Sequence, residues 1–177
     1  MSASVLYMSM SVDGYIAGPN DKPGNPGGDD FDRLHEWITV ADGEDGRPSR
    51  PAGELFDEWN ATDAVLAGRR TAEQVDHWGG DHHGVPIFVA SHRPPDPSVA
   101  NYPSVTYVSD GIASAMAQAK AATADRNVAV HGAHTAQQAL EPACWTSCRS
   151  TRSRCCSVAV VGCSRCCGRA SSWRSFG

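Results

Sequence analysis

Apolar residues in this 177-residue chain gather in short runs separated by polar, glycine-rich breaks. Such runs occupy residues 4–10, 64–67, 85–90, 105–108 and 128–130. Brief continuous apolar runs bounded by turn residues predict strands buried on both faces. Elsewhere the spacing lengthens to three and four. Phe31, Leu34, Trp37 and Ile38 predict a helix with Asp29 or Asp30 as its cap. Leu55, Phe56 and Trp59 predict the apolar face of a short helix opened by Pro51. Ile112, Met116 and Ala119 face inward on a helix predicted over residues 112–122, with Ser109 or Asp110 as cap. Strands alternating with helices in this way predict an α/β sheet.

Two of the strands end in a glycine and lead into a helix. The segment NVAVHGAHTAQQ runs from Asn127 through Gly132 to Gln138, and TDAVLAGRR runs from Thr62 through Gly68 to Arg70. Thr135 with Gln138, and Thr71 with Gln74, have the spacing of a capping box. A glycine turn feeding a helix start offers free N–H groups to an anion, although it also serves as an ordinary connection. Arg69 and Arg70 strengthen the anion reading at the first turn, unless they are solvated surface charges. Ser91, His92 and Arg93 end the strand over residues 85–90. Open α/β sheets bind ligands at such strand ends. Three phosphate-compatible turns on one edge suit a nucleotide with a pyrophosphate and a separate phosphate, which favours NADPH.

The connecting segments carry less chemistry. Residues 11–18, SVDGYIAG, read as a hairpin or strand bend, or as backbone lining a cleft with Asp13 at its rim. Residues 19–29 are rich in Gly, Pro, Asn and Asp, the composition of a mobile loop or a lid. Residues 42–51 predict another loop. His77, His82 and His83 invite a metal, but no cysteine or well-spaced acid completes a site, so they are expected to be solvated.

Charge divides the chain near Glu141. Residues 1–140 hold nine Lys and Arg against nineteen Asp and Glu, a net of −10. Residues 141–177 hold six Arg and one acid, a net of +5, together with all seven cysteines. The acidic body argues against a nucleic-acid binder. No apolar run reaches the roughly 18 residues of a membrane span, and the N-terminal segment lacks the pattern of a signal peptide. A cytoplasmic protein without membrane partners is expected.

The segments SVDGYIAG, VLAGRRTAEQ, PIFVASHR and VAVHGAHTAQQAL, in this order over residues 4–140, resemble the dihydrofolate reductase superfamily. Within it they look like the reductase domain of riboflavin biosynthesis and its stand-alone relatives. The resemblance implies a three-layer α/β fold, with a central mixed, mostly parallel sheet flanked by helices. It also implies hydride transfer from NADPH to a small heterocycle, as in a 5-amino-6-(5-phosphoribosylamino)uracil reductase. No metal is implied, and a homodimer is compatible with it. By the same resemblance, Gly68, Arg69, Arg70 and Thr71 meet cofactor phosphates, and Ser91, His92 and Arg93 hold the 2′-phosphate. Gly132, Ala133, His134 and Thr135 cradle the pyrophosphate. Ile16 and Ala17 lie by the nicotinamide, and Asp13 lies near the substrate.

The match stops at Glu141, so residues 1–141 are read as an incomplete reductase-like domain and 142–177 as an aberrant tail. Cys144 with Cys148 and Cys163 with Cys166 have ligand-like gaps, but the adjacent pairs Cys155-Cys156 and Cys166-Cys167 are awkward for one metal site. Codons offer a better explanation. Cys and Trp codons begin with TG, and in a GC-rich gene the neighbouring frame often reads them as Leu or Val. In that frame the tail can encode LLDEL and then PVLLGGGRRL, the pattern that follows the HGA-x-T helix in the resembled family. The tail is therefore read as frameshifted at or just before Glu141, by one nucleotide lost or two gained. It is expected to lose the last strands of the sheet and to be poorly packed, apart from a strand-like stretch at residues 157–161. The coding DNA is predicted to give LLDEL in the shifted frame with no early stop; sequencing that region checks it, and a closed frame would refute the slip.

Overall fold

A computed structural model describes residues 3–11, 14–36, 52–140, 148–152 and 173–175. The predicted N-terminal run divides into strands β1 (Ser4–Leu6) and β2 (Ser9–Met10). Helix α1 (Ala52–Asn60) precedes β3 (Thr62–Gly68) and the short α2 (Arg69–Gln74). Then come β4 (Ile87–Ala90), β5 (Val105–Val108), α3 (Ile112–Ala122), β6 (Asn127–His131) and α4 (Ala133–Leu140). Two strands follow in the tail, β7 (Cys148–Arg152) and β8 (Trp173–Ser175).

The central sheet has the order β1-β6-β3-β4-β5, and its described pairs are all parallel. A parallel sheet needs cover on both faces, and alternation along each strand provides it. Ala64, Leu66, Val128 and Val130 point to one face, against Met116 and Ala119 of α3 and Ala139 of α4. Val65, Ala67, Ile87, Val89 and Ala129 point to the other, against Ala72 of α2 and the half-buried Trp78. Leu66, Val65, Val89, Val128 and Val130 are fully buried. Each such side chain contributes about 1.5–3 kcal/mol relative to exposure. The predicted α/β architecture and the inward face of α3 are thus present. A second, smaller sheet has the order β2-β7-β8. Residues 157–161, expected to be strand-like, lie outside the described residues, as do Trp37, Ile38 and residues 42–51.

Several local expectations are corrected. Helices α2 and α4 begin at Arg69 and Ala133, so Thr71 and Thr135 sit in the first turn, inside the helix, and form no capping box. Gly111, not Ser109 or Asp110, precedes α3. Where the first helix was predicted to begin, the described residues form a 3₁₀ turn, Phe31–Leu34, and Asp30 makes no side-chain cap. Phe56 is exposed, while Leu55 is buried and Trp59 half-buried. His77 and His82 are buried rather than solvated.

The threonines have another use. β3 and β6 lie side by side, with Ala67 opposite His131. A side chain at Gly68 would collide with Thr135 Oγ1, and one at Gly132 with Thr71 Oγ1. Each threonine thus fills the space left by the other unit's glycine. Gly132 also has φ +93°, a region that L side chains rarely adopt. Gly132→Ala is predicted to cost about 1–3 kcal/mol from backbone strain and this contact. Denaturant unfolding of the purified variant checks the loss, and an unchanged midpoint would contradict this packing.

Candidate functional site

From β3 the sheet extends one way through β4 and β5, while β6 returns to the other side of β3. Helices α2 and α4 leave these neighbouring strands toward opposite faces. Diverging connections open a crevice at the strands' C-terminal ends, where open α/β sheets take ligands. A cavity of about 590 Å³ lies there. That size falls within the range of small-molecule sites.

The cavity brings the sequence-predicted turns together. Gly68, Arg69, Arg70 and Thr71 line it after β3, and Ser91, His92 and Arg93 after β4. Gly132, Ala133, His134 and Thr135 line it after β6. Ile16 and Ala17 reach it from the N-terminal segment, where Ser11 Oγ accepts from Tyr15 N at 2.9 Å to close a turn. Asp13 lies outside the described residues.

The basic side chains differ in their freedom. Arg69 Nε donates to Glu73 Oε1 one turn along α2, while its buried Nη1 has no hydrogen-bond partner. Arg70 Nη2 is 2.8 Å from Asp21 Oδ2. His92, Arg93 and His134 are exposed. Ser91 Oγ is committed within its own turn, donating to Arg93 O at 2.7 Å and accepting from Arg93 N at 3.1 Å. The cavity therefore keeps an open guanidinium at Arg93 and an unsatisfied donor at Arg69, which suit an anionic ligand.

Sequence reasoning missed several lining residues. Tyr7, Phe31, Trp59 and His131 give the cavity an aromatic region, and Asp21 and Gln74 line it as well. Tyr7 stacks near Trp59, with ring centroids 6.0 Å apart and planes 11° from parallel. His131 contacts Trp59, Trp78 and His82 at centroid separations of 6.3, 5.3 and 5.3 Å. A polar residue closing an apolar strand just before a glycine was the available signal for His131.

A strained turn supports this cluster. Asp76, His77 and Trp78 all have positive φ, near 46°, 54° and 55°, followed by Gly79 and Gly80. Left-handed backbone costs an ordinary L-residue roughly 1–2 kcal/mol. Two contacts hold the turn in place: His77 Nε2 lies 2.8 Å from Tyr107 Oη, and Tyr102 Oη donates to Asp76 Oδ2 at 2.9 Å. The turn delivers Trp78 against His82 and His131.

Among the described residues, no group of three or more His, Cys, Asp or Glu is arranged to hold a metal. Burial, and secondarily neighbouring His82, push the His131 pKa down to about 3. His82 is lowered as well, first by burial and then by His83. His131 is therefore neutral at pH 7, and its buried Nε2 has no hydrogen-bond partner.

No protein-family model matches the chain, and no curated protein matches it in sequence. Solved structures do. A protein from Shewanella sp. PV-4 assigned to riboflavin biosynthesis aligns with a TM-score of 0.60 at 21% identity, over 87% of this chain and 78% of its own. The chain has the dihydrofolate reductase-like fold. Dihydrofolate reductase from Enterococcus faecalis, complexed with NADP(H) and RAB-propyl, aligns at 15% identity over 80% of this chain and 66% of its own. Its TM-score of 0.42 is too low to carry weight. The likeness to the Shewanella protein, at 21% identity, shows the fold alone. No helix among the described residues is long and apolar enough to cross a membrane.

The histidine cluster has a definite pH consequence. An unfolded histidine titrates near 6.5, whereas folded His131 titrates near 3. Between those values the unfolded chain binds more protons, so stability falls as pH drops from about 6.5 toward 3. The limiting slope is about 1.4 kcal/mol per pH unit for one proton. Denaturant unfolding at pH 7.5 and pH 5 is expected to show this loss, reduced in His131→Phe. Equal pH dependence in both proteins would contradict it.

Proposed function

We propose that the chain is an NADPH-dependent reductase of a small planar heterocycle, of the 5-amino-6-(5-phosphoribosylamino)uracil reductase type. One observation carries this reading: three separate strand-end turns with anion-binding chemistry line a single cavity at the switch point of the sheet. The riboflavin-biosynthesis assignment of the Shewanella protein supports the same direction.

In this reading Gly132, Ala133, His134 and Thr135 approach the pyrophosphate, and Ser91, His92 and Arg93 the 2′-phosphate. Gly68, Arg69, Arg70 and Thr71 supply further phosphate contacts. Ile16 and Ala17 flank the nicotinamide, and Asp13 stands near the substrate. Tyr7, Phe31 and Trp59 offer flat apolar surface for a ring. NADPH supplies the hydride; the chain binds and orients the partners and excludes water.

The composition break at Glu141 favours a second reading, a frameshifted remnant that binds a nucleotide weakly and turns over nothing. The two readings separate experimentally. A ligand at 100 times its dissociation constant stabilises the native state by about 2.7 kcal/mol. For a chain of this size that raises the melting temperature by roughly 5–10 °C. The reductase reading predicts such a shift with saturating NADPH, and loss of 340 nm absorbance when a heterocyclic substrate is added. A shift without oxidation across a substrate panel would favour the remnant. No shift at millimolar NADPH, in a preparation that unfolds cooperatively, would sink the NADPH assignment.

A further inference from the structure

The loop over residues 19–29 is internally stitched, despite a composition that suggests mobility. Asn20 Nδ2 and Asn25 Nδ2 donate to the two carboxylate oxygens of Asp29, at 2.6 and 2.9 Å. Gly18 N donates to Gly27 O at 2.7 Å and Asp29 N to Pro19 O at 2.8 Å. From this loop one side chain crosses to α2. Asp21 is 17% exposed, and its two carboxylate oxygens have separate tasks. Oδ1 accepts from Gly27 N at 2.9 Å and from Gln74 Nε2 at 2.6 Å. Oδ2 accepts from Arg70 Nη2 at 2.8 Å, and the Asp21 carbonyl lies 3.4 Å from the same nitrogen. Asp21, Gly27, Arg70 and Gln74 all line the cavity.

One oxygen thus closes the loop and ties it to α2 through neutral donors. The other places a carboxylate on a guanidinium that faces the cleft. Arg70 is 71% exposed, and ion pairs at such exposure contribute only about 0–1 kcal/mol. A phosphate brings more charge and matches the guanidinium fork at two oxygens, so it can compete with that carboxylate.

We propose that Asp21 is a built-in competitor for phosphate, holding Arg70 until a phosphorylated ligand takes its place and thereby setting the affinity of the cleft. The proposal rests on the cofactor reading above for the identity of the ligand. The competition itself follows from the Asp21–Arg70 pair.

Asp21→Asn is the informative change. Its amide keeps an oxygen for Gly27 N and Gln74 Nε2, but loses the charge and the acceptor facing Arg70. Calorimetric titration with NADPH, NADH and inorganic pyrophosphate is expected to show binding about three- to tenfold tighter than to the unaltered protein. A gain confined to NADPH assigns Arg70 to the 2′-phosphate. A gain shared by NADH and pyrophosphate assigns it to the pyrophosphate. In an Arg70→Gln background the gain should vanish, because competitor and target act as one pair. Asp21→Ser repeats the test if the amide variant fails to fold. Unchanged or weaker binding in both Asp21 variants, or a gain that survives in Arg70→Gln, would overturn the competitor role. Absence of dinucleotide binding in every protein would instead overturn the cofactor reading, and pyrophosphate would still decide the role of Asp21.

Discussion

The parallel pairing of β3 with β6 is the constraint on which the rest depends. These strands are central, buried on both faces, and end side by side at Gly68 and Gly132. The chain must then leave toward opposite faces, which opens the cleft, and there is little room between the departing turns. Both glycines answer that crowding. Each has the other unit's threonine in the space where a β-carbon would stand. The anion-compatible turns and the close packing of the sheet thus follow from one local arrangement.

Electrostatics gives the cleft two sides. Arg69 and Arg70 already have carboxylate partners in Glu73 and Asp21, whereas Arg93 stands exposed. A net-acidic body therefore presents cationic groups at the strand ends while keeping most of them compensated. The loop that provides Asp21 is ordered by its own carboxylate and amide contacts, chiefly through Asp29. Composition alone describes such a loop as polar and glycine-rich, and says nothing of which atoms its side chains meet.

The aromatic region has a different origin. Trp59 comes from α1, Tyr7 from the segment after β1, Trp78 from the left-handed turn and His131 from the end of β6. Their rings meet only after the sheet has assembled. Desolvation then holds His131 neutral, so a side chain that would be a partial cation in water becomes an uncharged polar surface within an apolar wall. The strained backbone at Asp76, His77 and Trp78 persists because contacts with Tyr102 and Tyr107 fix it from outside.

The sequence by itself determined the strands of the central sheet, the inward face of α3 and the three strand-end turns, because burial periodicity and glycine punctuation are local properties. It also marked the break at Glu141, a matter of composition. Tertiary structure decided the rest. It moved the helix starts to Arg69 and Ala133, so that Thr71 and Thr135 pack against glycines instead of capping. It buried His77 and His82 and joined Asp21 to Arg70 across 49 positions. Contacts between residues so far apart leave no periodic trace in the chain, since they depend on which elements become neighbours once the sheet has closed.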